Sequence, residues 1–231
     1  MPSPTHTSRD FETELRELRA HTLAMGARCE RSVGLALEAF YHGSAELAAQ
    51  VEALDTQIDR DEMDIDALVL RILALRQPVA YDLRFLAAAL KLVTDLERIG
   101  DEAVNIAERS VEEHGAAKAI VLEQLKSMAV GAQEMLREAL TAFVDGDVAR
   151  AEKVLDRDDE IDKAYGLIMR SMSTYMASHP QDVPPGLRVV KVAKYLERIA
   201  DHATNVAEEV IFMVRGDDVR HHRARPVIAE E

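Results

Sequence analysis

The chain has 231 residues, and its 42 acidic residues outnumber its 28 lysines and arginines, which gives a net charge of −14. This charge opposes binding to the phosphate backbone of nucleic acids, so we expect no nucleic-acid partner. Hydrophobic residues make up 48% of the chain and aromatic residues only 4%, and the single cysteine excludes a disulfide within one chain. This composition supplies enough apolar residues for a sizeable core and is typical of an all-α protein.

Apolar residues recur at steps of three and four along most of the chain, which is the spacing of an amphipathic helix. The pattern predicts six helices, over residues 8–41, 44–76, 81–113, 117–144, 147–178 and 187–215. Three prolines between residues 179 and 186 are expected to break the chain before the sixth helix. Cys29 falls on the apolar stripe of the first helix, so we interpret it as a core residue.

The two ends of the chain lack helical periodicity. Residues 1–10 have neither the charged nor the apolar region of a signal peptide. No apolar run in the sequence approaches the roughly 20 residues that span a bilayer. We therefore expect a cytoplasmic protein, and we interpret residues 216–231 as a flexible tail.

One segment occurs twice. The sequence LERIGDEAVNIAE at residues 96–108 returns as LERIADHATNVAE at residues 196–208, with nine of thirteen positions identical. On a helix, Glu97 and Asp101 lie one turn apart at the edge of the apolar stripe, and their counterparts in the second copy do the same. Stacked carboxylates repel each other by a few tenths of a kcal/mol. Because both copies keep the pair, we interpret it as binding a cation rather than as a solvated helix edge.

A second carboxylate pair is also duplicated. Asp55 and Asp59 on the second predicted helix align with Asp158 and Asp162 on the fifth, and each pair is one helical turn apart. Asp158 and Asp162 fall on the apolar stripe itself, where two unpaired ionised carboxylates would cost many kcal/mol. We therefore expect these two side chains to be protonated, paired or bound to metal.

The helices and their short turns predict the architecture, because short connections make sequential helices antiparallel. The chain is expected to form two tandem antiparallel three-helix bundles related by the internal repeat, over residues 8–114 and 116–215. In each bundle the aspartate pair on the second helix would face the glutamate and aspartate on the third. Such a set of oxygen ligands favours a hard cation.

With these motifs, the sequence resembles the PhoU family of phosphate-transport regulators. The likeness rests on DLERIGDEAVNIAE, on YLERIADHATNVAEEV and on the aspartate pair of each preceding helix, and it covers nearly all of residues 8–215. It implies two PhoU bundles, a cytoplasmic location, and negative regulation of phosphate uptake and of the phosphate-starvation response. It also implies two partners, the ATPase subunit of the phosphate ABC transporter and the phosphate-sensing histidine kinase. Membrane association would occur only through these partners, and a homodimer is left open.

The resemblance further implies multinuclear metal clusters, of iron or another divalent metal. Its motifs place the candidate ligands at Asp55, Asp59, Glu97, Asp101, Asp158, Asp162, Glu197 and Asp201. Asn105 and Asn205 would complete or orient the ligand shell. Ala200 stands where the first copy has Gly100 and leaves less room at a helix contact, and His202 is either a nitrogen ligand or an exposed side chain.

Two other functions compete with this reading. A carboxylate-rich metal store or di-iron enzyme would use Glu-x-x-His pairs, whereas Glu17 and His21 are four residues apart. No nucleophile–base motif and no Gly-rich phosphate loop is present in the sequence, so we expect no enzyme. The second alternative is a structural interaction bundle whose carboxylates bind arginines of a partner, and it differs from the regulator mainly in lacking metal.

Overall fold

The computed structural model describes residues 9–112 and 116–219. Over these residues the chain forms seven α-helices, one turn of 3-10 helix at Pro180–Asp182, and no strand. The helices are α1 (Arg9–His42), α2 (Ala45–Arg76), α3 (Ala80–Ser110), α4 (Ala117–Ile120), α5 (Leu122–Asp145), α6 (Val148–Ser178) and α7 (Val183–Arg215). The predicted all-α class is therefore confirmed.

The first turn of each half is built in the same way. Gly43 and Gly146 have φ angles of 67° and 62°, so each supplies the left-handed residue that follows a helix end. Ser44 and Asp147 then cap α2 and α6, because each side chain accepts a hydrogen bond from a backbone N–H three residues on. These tight turns make α1 and α2 antiparallel, and α5 and α6 likewise.

Two predicted helix ends differ from the structure by several residues, and one predicted helix is interrupted. The third helix ends at Ser110 rather than at residue 113. The fourth is divided at Val121, whose φ of −122° and ψ of 16° are not helical. The sixth begins at Val183, because Pro184 and Pro185 lie in its first turn, where a missing N–H leaves no hydrogen bond unmade. The predicted proline break is therefore much shorter than expected.

The two halves bury equivalent positions. In α2 the core residues include Val51, Ile58 and Ile65, and in α6 the aligned residues Val154, Ile161 and Ile168 are buried. Helices α1, α2 and α3 pack on one another, and α5, α6 and α7 do the same. The prediction of two three-helix bundles related by an internal repeat is confirmed. Cys29 is buried in the first bundle, as predicted.

The bundles meet along α3 and α7, which pack against each other over most of their length. Two buried glutamates, Glu102 and Glu209, lie at this seam and are only 7% and 4% exposed. Each glutamate forms an ion pair with a basic side chain of the other bundle. Arg198 Nη1 lies 3.0 Å from Glu102 Oε1, and Lys91 Nζ lies 2.9 Å from Glu209 Oε1. The partner residues run in opposite directions along the chain, so α3 and α7 are antiparallel.

The two ends of the chain and the junction between the repeats are only partly described. Residues 220–231, which make up most of the predicted flexible tail, lie outside the described residues, and so does the predicted boundary between the repeats at residue 114. The domain limits at residues 8, 114, 116 and 215 stay predictions. In the described part of the chain, every helix is too short or too polar to be a candidate membrane span.

Two carboxylate clusters as the candidate functional site

The first cluster lies where α2 packs against α3 and contains the four predicted carboxylates of the first repeat. Burial, and after it the neighbouring charges of Asp59 and Asp101, together raise the pKa of Asp55 to about 6. Burial also raises the pKa of Glu97, with Asp101 as the strongest of its charged neighbours. The structure thus brings Asp55, Asp59, Glu97 and Asp101 close enough to repel one another.

Gly100 allows the close approach at this cluster. A Cβ atom at this position would lie 3.1 Å from Asp55 Oδ1 and 3.2 Å from Ile58 Cδ1. Asp55 Oδ1 is buried and accepts no hydrogen bond from any described residue. A buried acceptor left unpaired costs about 1–3 kcal/mol. A cation at this oxygen would remove that cost.

A fifth carboxylate, Glu62, belongs to the first cluster. Its charge contributes to the raised pKa of Glu97, and its Oε1 atom accepts a hydrogen bond of 3.3 Å from Thr94 Oγ1. The sequence pattern places Glu62 on the same ridge of α2 as Asp55 and Asp59, but the motif does not include it among the ligands. The position of Glu62, one turn beyond Asp59 on the face of α2 toward α3, is the sequence signal that could have identified it.

The second cluster has the same four positions in the second bundle. Burial, and after it the charges of Glu197, Asp158 and Asp162, together raise the pKa of Asp201 to about 6. Lys194 lowers it and makes a close ion pair with Glu197. The structure therefore brings together Asp158, Asp162, Glu197 and Asp201 as the sequence predicts.

The two clusters differ in how their carboxylates are satisfied. Thr204 Oγ1 donates a hydrogen bond of 3.2 Å to Asp158 Oδ1, whereas the aligned residue in the first repeat is Val104. Lys194 also has no charged counterpart, because Thr94 stands at its aligned position. The second cluster thus contains an ammonium group and a hydroxyl donor of its own. The first cluster has a cation too, since Arg98 lies 3.6 Å from Glu97 Oε2 and 4.0 Å from Asp101 Oδ2, but no described residue donates to Asp55 Oδ1.

The expected burial of Asp158 and Asp162 is only partly correct. Asp158 is half-buried, but Asp162 is exposed. Val154, Ile161 and Ile168 occupy the core positions of α6, two turns apart, and Asp162 is rotated by about 100° from Ile161. This rotation moves Asp162 out of the core to the edge of the helix contact, where it still acts on Asp201.

The amides and the histidine considered as further ligands lie at the seam between the bundles. Asn105 Nδ2 donates to Glu102 Oε2 at 3.2 Å, and Asn205 Nδ2 donates to Asp95 Oδ1 at 2.9 Å. His202 Nδ1 lies 2.8 Å from the same Asp95 oxygen. His202 is therefore neither an exposed residue nor a member of a carboxylate cluster. These side chains serve the contact between α3 and α7.

The arrangement offers carboxylate oxygens, which suit hard cations. Across residues 9–112 and 116–219, however, no three or more His, Cys, Asp or Glu side chains are positioned together to enclose a metal ion. The structure shows mutually repelling carboxylates and two buried oxygens without a hydrogen bond, Asp55 Oδ1 and Glu197 Oε2, of which the second is paired with Lys194. The eight metal ligands stay a prediction.

Sequence comparisons identify relatives along almost the whole chain. A family model described as the PhoU domain matches residues 22–110 and 125–210. A phosphate-specific transport system accessory protein PhoU homolog of Pseudomonas putida is 41% identical over 227 residues, which are 97% of this chain and 88% of that protein. The phosphate-specific transport system accessory protein PhoU of Serratia marcescens is 34% identical over 94% of this chain and 89% of its own length.

Solved structures of similar proteins share the fold. The crystal structure of PhoU from Pseudomonas aeruginosa matches with a TM-score of 0.86 and 40% identity, covering 90% of this chain and 100% of that one. The phosphate transport system regulatory protein PhoU from Streptococcus pneumoniae matches with a TM-score of 0.84 and 28% identity, over 90% of this chain and 99% of that one. By its duplicated motif, its paired bundles and these matches, the chain belongs to the PhoU family.

Proposed function

We propose that this chain is a negative regulator of phosphate uptake and of the phosphate-starvation response. The observation that carries the proposal is the match along 97% of the chain to a relative named as an accessory protein of phosphate-specific transport. The name of the similar protein from Streptococcus pneumoniae adds a regulatory role. One name describes an accessory function and the other a regulatory function, and both support a non-catalytic role for this chain.

The proposed regulation acts through protein contacts in the cytoplasm. The partners are the ATPase subunit of the phosphate ABC transporter and the phosphate-sensing histidine kinase, and the chain reaches the membrane only through them. Long rigid helices support this role, because they present extended, fixed faces to a partner. The net charge of −14 further favours partners whose contact surfaces are basic.

We also propose that the two carboxylate clusters bind metal ions, as multinuclear iron or another divalent metal. Asp55, Asp59, Glu97 and Asp101 would hold the metal in the first bundle, and Asp158, Asp162, Glu197 and Asp201 in the second. Bound metal would neutralise the carboxylates and link the second helix of each bundle to the third. The unsatisfied Asp55 oxygen supports binding at the first cluster most strongly. Lys194 partly takes the place of a cation at the second.

The regulatory proposal is tested with a reporter for a phosphate-starvation promoter in phosphate-rich medium. We expect the promoter to be silent in the parent strain and active in a strain that lacks this chain. Returning the gene on a plasmid should silence the promoter again. A promoter that stays silent in the deletion strain would contradict negative regulation and would favour a metal store or a structural bundle.

A further inference from the structure

One face of α2 is apolar and exposed. Met63, Ala67, Leu70 and Ala74 follow one another at steps of four, three and four residues, which places them within an arc of about 60°. Met63 and Leu70 are 62% and 60% exposed, and both alanines are exposed as well. We call these four residues the α2 apolar stripe. At about 1.5 Å per residue it is roughly 17 Å long, or three helical turns.

The internal repeat shows that the fold does not require this stripe. Helix α6 occupies the same place in the second bundle and buries the aligned core residues. Its residues at the four aligned positions are Gly166, Arg170, Ser173 and Ala177. Because a polar face serves equally well in the second bundle, the exposed Met63 and Leu70 are not explained by packing within the chain. Contiguous exposed apolar residues of this kind mark interaction surfaces.

Carboxylates outnumber guanidinium groups along the two edges of the stripe. Asp59, Glu62 and Asp66 lie along the edge toward α3, within about 100° of Met63 around the helix. Arg60 and Arg71 lie along the other edge together with Asp64, and Arg71 Nη2 is 3.9 Å from Glu17 Oε2. A covering helix would therefore meet a carboxylate edge on one side and a mixed edge on the other.

This charge pattern argues against a second copy of the chain. Two α2 helices packed antiparallel about a two-fold axis would set the carboxylate edge of one copy against that of the other. Packed parallel, they would set it against the mixed edge, where Asp64 repels it and Arg71 already faces Glu17. The net charge of −14 on each copy adds to the repulsion. The complementary occupant is a helix with basic residues along the edge that meets the carboxylates.

We propose that the α2 apolar stripe is the docking site for an amphipathic helix of a partner protein, with lysine or arginine along its edge beside Glu62 and Asp66. The stripe is one continuous face of α2, along which a second helix can pack its own apolar face. The inference rests on the proposed function, which makes the ATPase subunit of the phosphate transporter the partner to test.

The test measures the equilibrium affinity of the purified ATPase subunit for the full-length chain. The variant Ala67→Arg/Leu70→Ser gives α2 the side chains that α6 carries at the aligned positions. We expect it to weaken binding at least tenfold. The matched control, Arg170→Ala/Ser173→Leu, makes the reverse exchange on α6 and should leave the affinity unchanged. Both variants should unfold at the same temperature as the parent chain, because the altered side chains are exposed on α2 and α6.

The role of the carboxylate edge is tested by the substitution Asp66→Lys, because Asp66 is not among the proposed metal ligands. It should weaken binding several-fold at low salt and less at high salt. If the parent chain binds and Ala67→Arg/Leu70→Ser binds equally well, the docking site is wrong while the proposed partner stands. If the parent chain does not bind the ATPase subunit, that partner fails and the inference fails with it. A parent dimer that becomes a monomer in the same variant would assign the stripe to a second copy instead.

Discussion

At the scale of single residues, Asp55 shows how the fold creates a demand for a cation. Gly100 brings the backbone of α3 against its carboxylate, and one carboxylate oxygen is left buried without a hydrogen bond. The aligned Asp158 has Thr204 as a donor. The sequence predicts which carboxylates meet, because their helical phase is fixed, but it does not predict which of them find a donor. That outcome depends on side chains from a different helix.

The pKa of Asp55 makes the stability of the metal-free chain depend on pH. Its folded value of about 6 exceeds the ordinary value of 3.8, so its protonation stabilises the fold at low pH and this contribution is lost as pH rises from about 4 through 6. The variant Asp55→Asn cannot ionise, so it removes the free-energy cost of a partly buried charge at this position. We expect the variant to gain about 1 kcal/mol over the parent between pH 4.5 and pH 7.5, after allowance for solvent screening. Urea unfolding in the presence of a chelator measures this difference.

The control for this experiment is Asp64→Asn, at an exposed position of the same helix. Its stability relative to the parent should change little between the two pH values. An Asp55→Asn variant that keeps the same stability difference from the parent at both pH values would contradict the raised pKa.

Lys194 is expected to compete with metal at the second cluster. Lys194→Thr gives this position the residue found at Thr94 in the first repeat and removes the ammonium group paired with Glu197. After equilibration with Mn²⁺, metal analysis should find more metal per chain in the variant than in the parent. The converse change, Thr94→Lys, should lower the metal content of the first cluster. Equal metal content in all three proteins would contradict this role for Lys194.

At the scale of the helices, the two bundles place one isoleucine differently. Ile58 Cδ1 packs against Gly100 of α3, whereas Ile161 Cδ1 packs against Gly131 of α5, 2.7 Å from the place of a missing Cβ. Ala200 stands at the position aligned with Gly100, so its methyl group occupies the space that Ile58 uses in the first bundle. The isoleucine thus turns toward whichever neighbouring helix carries the glycine.

This contact predicts the effect of Gly131→Ala. The added methyl group would overlap Ile161 Cδ1, and this overpacking should outweigh the gain in helix propensity and lower the free energy of unfolding by about 1 kcal/mol. Gly34→Ala on α1 is the control, because the nearest atom to its added Cβ would be Gln133 Nε2 at 3.6 Å. That substitution should stabilise the chain by about 0.5–1 kcal/mol through helix propensity. Chemical denaturation would contradict the account if both substitutions had the same sign.

The helices themselves were largely predictable, since the three-to-four spacing of apolar residues gives both their existence and their buried face. The ends of the helices were less predictable. The pattern did not indicate the break at Val121, and it treated Pro184 and Pro185 as a loop although they start α7. Periodicity reports the face that a helix buries, whereas its first residue depends on local capping and on which N–H groups need a partner.

At the scale of the whole molecule, the repeats differ where they meet. Along the seam, Asp95 of α3 aligns with Tyr195 of α7, and Glu209 aligns with Arg109. Glu209 gives α7 the carboxylate that pairs with Lys91 of α3, and Asp95 gives α3 the carboxylate that His202 and Asn205 contact. Sequence reasoning missed this seam, and with it the positions of Asn105 and Asn205, because each partner lies about half a chain away.

The buried ion pair at the seam predicts a loss of stability in Lys91→Met. Glu209 would keep its buried carboxylate without the cation that now lies 2.9 Å away. Because Lys91 is itself partly exposed, we expect a cost of about 2 kcal/mol rather than the larger penalties of fully buried pairs. Lys191→Met, at the exposed aligned position of α7, should change stability little. Equal effects of the two substitutions on thermal unfolding would show that Lys91 does not stabilise the seam.

We propose that the carboxylate clusters are needed for regulation. The most direct test is promoter output in phosphate-rich medium, in a deletion strain that expresses either the parent chain or Asp55→Asn/Asp101→Asn at equal abundance. Our account predicts that the parent chain silences the phosphate-starvation promoter, and that the variant leaves it active although it is folded. A variant that silences the promoter as fully as the parent, while metal analysis shows that it has lost metal, would contradict the account.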